Sequence, residues 1–205
     1  MTANLTNPSA EAGRLRLRKL LAHYATDPLV RLLASLGVTP NGLTYLGLAA
    51  SGGAAALLAT GHLVAGGALV LGGSAFDLLD GALARATGKA TKFGAFLDST
   101  TDRLAEGVIL FGLLVHFARA EATEEVLLIF CAMVAGVLVS YVKARAEALG
   151  LSCNIGLVTR PERVVLLGFG LLIDQVTILL YIIAIASFFT AVHRFLHSSR
   201  QALRS

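Results

Sequence analysis

Long apolar runs separated by short charged turns constrain this chain more than any other feature. A helix that crosses a bilayer needs about 20 mostly apolar residues, and a chain with several such runs in series has few soluble alternatives. Six candidates follow one another, at 41–58, 63–85, 92–116, 125–145, 162–172 running on to about 175, and 176–196. The fifth is the shortest. Composition agrees: 56% of residues are hydrophobic and 15% charged, against about 45–50% apolar in soluble domains. Residues 1–13 are polar and lack the apolar core of a signal peptide.

The stretch 14–38 differs from the six runs. Leu15, Leu17, Leu20, Leu21, Val30, Leu32, Leu33 and Leu36 are interspersed with Arg14, Arg16, Arg18, Lys19 and Arg31, and Pro28 interrupts the pattern. Such a segment is expected to lie along the membrane surface as an amphipathic helix, broken in the middle. The expected fold class is therefore all-α, an integral membrane bundle of six transmembrane helices preceded by an N-terminal interfacial amphipathic helix. The chain is expected to form one domain, with 1–38 as tail and interfacial helix, 39–198 as the six-helix core and 199–205 as a cytoplasmic tail.

Charge assigns the sides. With both termini inside, Lys and Arg should favour the N-terminus, the second and fourth loops and the C-terminus. All of the 17 basic residues follow that distribution except Arg119, with Arg103 inside the third run but nearer its inner end. The opposite turns carry Glu121, Glu124 and Asp174. A net charge of +4 with a pI near 9.4 thus reads as a cytoplasmic membrane face rather than as a nucleic-acid surface. The two cysteines, Cys131 in an apolar run and Cys153 in a polar loop, suggest neither a disulfide framework nor a metal site.

Against this apolar background, four aspartates stand out within a short stretch. An aspartate at the centre of a membrane helix costs about 2.5–3.5 kcal/mol on insertion scales. Asp77 and Asp80 are spaced i, i+3 near the inner end of the second run. Asp98 and Asp102 are spaced i, i+4 near the inner start of the third. Each pair shares one helix face. The short basic turn between the runs predicts antiparallel neighbours whose four carboxylates converge just below the cytoplasmic surface. Such a cluster repels itself in low dielectric and needs cations. Oxygen donors without His or Cys suit Mg²⁺ or Mn²⁺. Two ions would balance four charges, and paired divalent ions suit phosphoryl or phosphatidyl transfer. Glu106 extends the Asp98–Asp102 stripe by one turn and reads as a packing or supporting group.

The pattern Asp77-x-x-Asp80-Gly81-x-x-Ala84-Arg85, eight residues, Gly94-x-x-x-Asp98-x-x-x-Asp102 resembles the signature of the CDP-alcohol phosphatidyltransferase family. The resemblance implies that Asp77, Asp80, Asp98 and Asp102 bind metal, and that Asp102 is also the general base. It implies that Thr39, Pro40, Asn41, Gly42, Gly81, Arg85 and Thr91 contact the CDP-lipid. It further implies a CDP-diacylglycerol donor, a phosphorylated polyol acceptor, a membrane lipid environment and a homodimer.

A second, basic cluster lies on the same side: Ser140, Lys143, Arg145, Arg160, Arg163 and Arg194. It suits an acceptor that carries phosphate, or equally a set of anchors for lipid headgroups. The segments Ser140–Ala148 and Arg160-Pro161-Glu162-Arg163 are similar to the actinobacterial-type phosphatidylinositol phosphate synthases within the family. That likeness implies that Ser140, Lys143, Arg163 and Arg194 line a pocket for inositol phosphate. Phosphatidylglycerophosphate synthesis and an archaeal ether-lipid donor are the alternatives. An ion or proton transporter would need polar groups leading to the outer face, and the outer halves of the runs carry almost none.

Overall fold

The computed structural model describes residues 28–204, and every regular element among them is helical. Helix α1 covers 28–35. It is followed by α2 (Pro40–Ala59), α3 (Leu63–Ala86), α4 (Lys92–Arg119), α5 (Thr123–Ala148), α6 (Arg160–Leu172) and α7 (Val176–Ala202). Four of these, α2, α3, α5 and α7, are long and apolar enough to cross a membrane. The expected fifth run is shorter than anticipated. It stops at Leu172, and its 13 residues span only about 20 Å against a hydrocarbon core of about 30 Å. Helix α7 continues to Ala202, through most of the segment expected as a tail. Of the expected surface helix, 28–35 is helical and Val30 is buried with Leu43, Leu79 and Leu83. Residues 14–27 of that helix lie outside the described residues.

The helices alternate in direction. Against α2, Gly66 meets Leu58, Gly73 meets Ala50 and Asp80 meets Thr44, so α3 runs antiparallel to it. Gly94 approaches Asn41 and Gly112 approaches Ala55, so α4 runs parallel to α2. Helix α6 is antiparallel to α3, through Gly67 against Leu171 and Asp77 against Arg160. The N-termini of α2, α4 and α6 therefore gather at one end, with the C-terminal turns of α3 and α5. The caps mark that end. Thr39 accepts from the Gly42 amide and Thr91 from the Gly94 amide. Thr159 and Glu162 form a reciprocal capping box. The helices that start at the opposite end, α3, α5 and α7, have no side-chain cap.

One expectation about neighbours is corrected. Helices α3 and α4 are antiparallel, but they pack on one another only sparsely; α2 lies against both. The cause is visible at Gly112, where any side chain would collide with the Ala55 backbone of α2. Small residues let α2 and α4 approach closely, and α3 docks on another face of α2. A cleft is left between the two aspartate helices. The main apolar core sits further along the bundle, built on Leu58, Val70, Leu113, Ile129, Leu171 and Leu180. Large apolar side chains such as Phe111, Phe169, Ile185 and Phe188 point outward, as lipid-facing positions should.

Candidate functional site

The gathered N-termini and the aspartates meet at the same end of the bundle. A cleft of about 230 Å³ opens there. Pro40, Asn41 and Thr44 of α2, Asp80, Gly81, Ala84 and Arg85 of α3, Lys89–Thr91 of the turn, and Gly94, Ala95 and Asp98 of α4 line it. Helix N-termini offer unpaired N–H groups and a partial positive charge, which suits an anionic ligand. Two glycines shape the approach. A Cβ at Gly81 would stand 3.3 Å from Arg85 Nη1, and one at Gly94 would stand 3.4 Å from Asn41 Oδ1.

The four aspartates interact electrostatically with one another, yet they divide into two pairs. Asp80 and Asp98 face the cleft. Asp80 is buried and accepts a hydrogen bond of 2.7 Å from the Thr44 hydroxyl. Asp77 and Asp102 instead share Arg160, whose Nη1 lies 2.6 Å from Asp77 Oδ2 and 2.6 Å from Asp102 Oδ1. Gly47 makes room for this arrangement, because a Cβ there would lie 3.0 Å from Asp77 Oδ1.

The donor set fits a divalent metal in its chemistry. It consists of carboxylates alone, their mutual repulsion calls for positive charge, and a cationic side chain already supplies part of it. Among the described residues no three acidic, His or Cys groups stand close enough together to hold an ion as they are. Asp77 and Asp102 are held by Arg160 in this arrangement.

The structure separates the expected site residues into three groups. Pro40, Asn41, Gly81, Arg85 and Thr91 line the cleft, while Thr39 and Gly42 form the cap that starts α2. Asp77, Asp80, Asp98 and Asp102 occupy the adjoining α3–α4 faces. The basic set is differently engaged. Arg163 is buried and doubly bonded to Glu106, with Nε–Oε1 at 2.6 Å and Nη2–Oε2 at 2.7 Å. Arg194 is buried and donates to the Ile155 and Val139 carbonyls at 2.7 and 2.8 Å. Lys143 stands 3.7 Å from Glu147, and Ser140 is half-buried. Arg163 and Arg194 thus brace the bundle here.

Three contributors escaped the sequence reading. Thr44 lies one turn after Pro40 and Asn41 on the same face of α2, a spacing that could have flagged it. Lys89 counted only as a basic turn residue. Arg160 was grouped with the basic cluster, and its place between two aspartates depends on how α6 docks.

The comparisons with known proteins bear on this geometry. The family model described as CDP-alcohol phosphatidyltransferase matches residues 37–198. The chain is 41% identical over 186 residues to the phosphatidylinositol phosphate synthase of Mycobacteroides abscessus, covering 85% of this chain and 83% of that one. It is 40% identical over 173 residues to the archaetidylinositol phosphate synthase of Pyrococcus horikoshii, covering 82% and 89%. Among solved structures it resembles Mycobacterium tuberculosis phosphatidylinositol phosphate synthase with CDP-DAG bound, with a TM-score of 0.78 and 36% identity over 84% of this chain and 92% of that one. The same enzyme in complex with manganese and citrate aligns with a TM-score of 0.77 and 37% identity, covering 84% and 88%.

Proposed function

The chain belongs to the CDP-alcohol phosphatidyltransferase family, and from that premise we propose that it transfers a phosphatidyl group from CDP-diacylglycerol to myo-inositol 1-phosphate, giving phosphatidylinositol phosphate and CMP. The observation that carries the reading is the cleft in which Asp80 and Asp98 face the N-terminus of α2, with Asp77 and Asp102 beside them. The relatives supply the acceptor, since those compared above are named for inositol phosphate products.

The enzyme is membrane-embedded and depends on a divalent metal. Our finer reading has six crossings, both termini and the active site on the cytoplasmic side, a homodimer, and two ions per subunit, Mg²⁺ or Mn²⁺. It also keeps one domain, with 39–198 as the core. Asp77, Asp80, Asp98 and Asp102 would hold the ions, which supply charge stabilisation on phosphate oxygens when bound. Pro40, Asn41, Gly81, Arg85 and Thr91, with Thr44 and Lys89 beside them, receive the CDP moiety. The anionic pyrophosphate then meets helix N-termini and basic side chains. Thr39 and Gly42 fix where α2 begins.

Asp102 takes the proton from the acceptor hydroxyl. That oxygen bonds to the lipid-side phosphorus, the bond from this phosphorus to the bridging oxygen breaks, and CMP departs with that oxygen. Ser140, Lys143, Arg163 and Arg194 are assigned to the acceptor phosphate. For Arg163 and Arg194 this requires sharing or exchanging their present partners.

One observation favours a second donor: the Pyrococcus relative, named for an archaetidyl product, is nearly as similar as the bacterial one. An ether-linked CDP-lipid would use the same headgroup contacts.

The test is CMP release by the purified protein in mixed micelles with Mg²⁺ or Mn²⁺. Inositol 1-phosphate, glycerol 3-phosphate, free inositol and serine are offered separately, each with ester and ether CDP-lipids. Release with inositol phosphate alone supports the assignment. Release with glycerol 3-phosphate alone replaces the acceptor, and no release with any pair overturns the proposal.

A further inference from the structure

Arg160 occupies an unusual position. It is the first residue of α6, where the helix dipole disfavours a cation. Its guanidinium nevertheless reaches into the carboxylate cluster and bridges Asp77 of α3 and Asp102 of α4 through one nitrogen, at 2.6 Å to each. The pose is incompletely satisfied, because the Nε of Arg160 is buried and has no hydrogen-bond partner. Helix α6 does not need this contact to begin. Its first turn is closed by Thr159 and Glu162 and anchored in the bundle by the Arg163–Glu106 pair.

From these observations we infer that Arg160 is the resident counter-ion of the metal site, holding Asp77 and Asp102 until a divalent ion displaces it. The inference rests on the metal-holding role given above to the aspartates. Arg160 neutralises carboxylates that would otherwise repel in a poorly hydrated site. A divalent ion on the oxygens that Arg160 holds would stand against the guanidinium's positive charge, so metal binding and the Arg160 bridge compete. Arg160 thereby sets metal affinity from outside the ligand set and is a positioning residue.

The experiment compares Mn²⁺ binding by the full-length protein and by Arg160→Gln in detergent without substrate, reading free Mn²⁺ by electron paramagnetic resonance. Arg160→Gln should bind Mn²⁺ at least about tenfold more tightly. Its metal-free form should melt at a lower temperature, and its gain in Tm on adding Mn²⁺ should exceed that of the wild type. Arg160→Lys keeps a positive charge and should stay within a few-fold of wild-type affinity; it gives a second reading if the Gln variant does not fold. In that case, Arg160 of the wild type should react faster with phenylglyoxal when Mn²⁺ is added, read by mass spectrometry of its peptide, and unchanged reactivity overturns the inference. Equal or weaker Mn²⁺ binding by Arg160→Gln overturns the inference alone. Failure of the wild type to bind Mn²⁺ overturns both the inference and the metal assignment beneath it.

Discussion

Asp102 and Glu106 stand one turn apart on α4, and their neighbours give them different work. Asp102 shares Arg160 with Asp77 at the edge of the cluster. Replacing it by Asn keeps the size and removes a base and a charge. Asp102→Asn should lower CMP release by about 10²-fold or more, while circular dichroism and gel filtration stay unchanged. Retained turnover would exclude Asp102 as the base. Glu106 is the partner of a buried guanidinium. Breaking such a pair leaves an uncompensated charge, which typically costs about 3–5 kcal/mol. Glu106→Gln should therefore lower the thermal unfolding midpoint in detergent substantially, whether or not metal is present. An unchanged midpoint would mean that Arg163 finds other partners easily.

At the scale of elements, glycine contacts decide which helices touch. Gly112 lies against the Ala55 backbone and Gly67 against Leu171, where an added Cβ would stand 2.6 Å from the Leu171 Cβ. Gly112→Val should push α4 away from α2 and cost about 1–3 kcal/mol by overpacking. Because Asn41 and Gly94 lie in the same α2–α4 seam, the KM for the CDP-lipid should rise as well. The check is the variant's unfolding midpoint together with its KM for donor and acceptor. A change in acceptor KM alone would contradict the placement of the cleft. The threonine caps also act at this scale. They start α2, α4 and α6 at the same end of the bundle.

The whole molecule combines an outward apolar surface with one end rich in basic residues. If that end is cytoplasmic, cysteines placed at Lys89 and at Glu121 should differ in sidedness. In inverted membrane vesicles an impermeant maleimide should label Lys89→Cys and spare Glu121→Cys. Cys131 and Cys153 are replaced by Ala or Ser beforehand, since Cys131 is exposed on α5. The reverse pattern would turn the molecule over. Helix α6 is the element that the whole arrangement must accommodate. At 13 residues it crosses only part of the bilayer thickness by itself, and it packs between its neighbours α3 and α7.

Much of this protein follows from local chemistry alone. Apolar runs of spanning length made the helices legible: the second was expected at 63–85 and is Leu63–Ala86. Asp77, Asp80, Asp98 and Asp102 announced themselves because charge in an apolar helix is costly, and i, i+3 or i, i+4 spacing is enough to assign a face. Chain direction followed from turns too short to cross the bundle. The pairing of helices did not follow, because it depends on which glycines meet which backbone, and many small residues compete for that role. Whether an arginine serves as anchor, ligand contact or counter-ion was equally hidden. Arg160 reaches Asp77 across 83 positions of sequence, and Arg163 reaches Glu106 across 57. Both contacts exist only because α6 docks antiparallel to α3 and parallel to α4. Sequence sets what each side chain can do, and the tertiary fold selects the partner, since a long flexible cation pairs with whichever carboxylate the packing brings within reach.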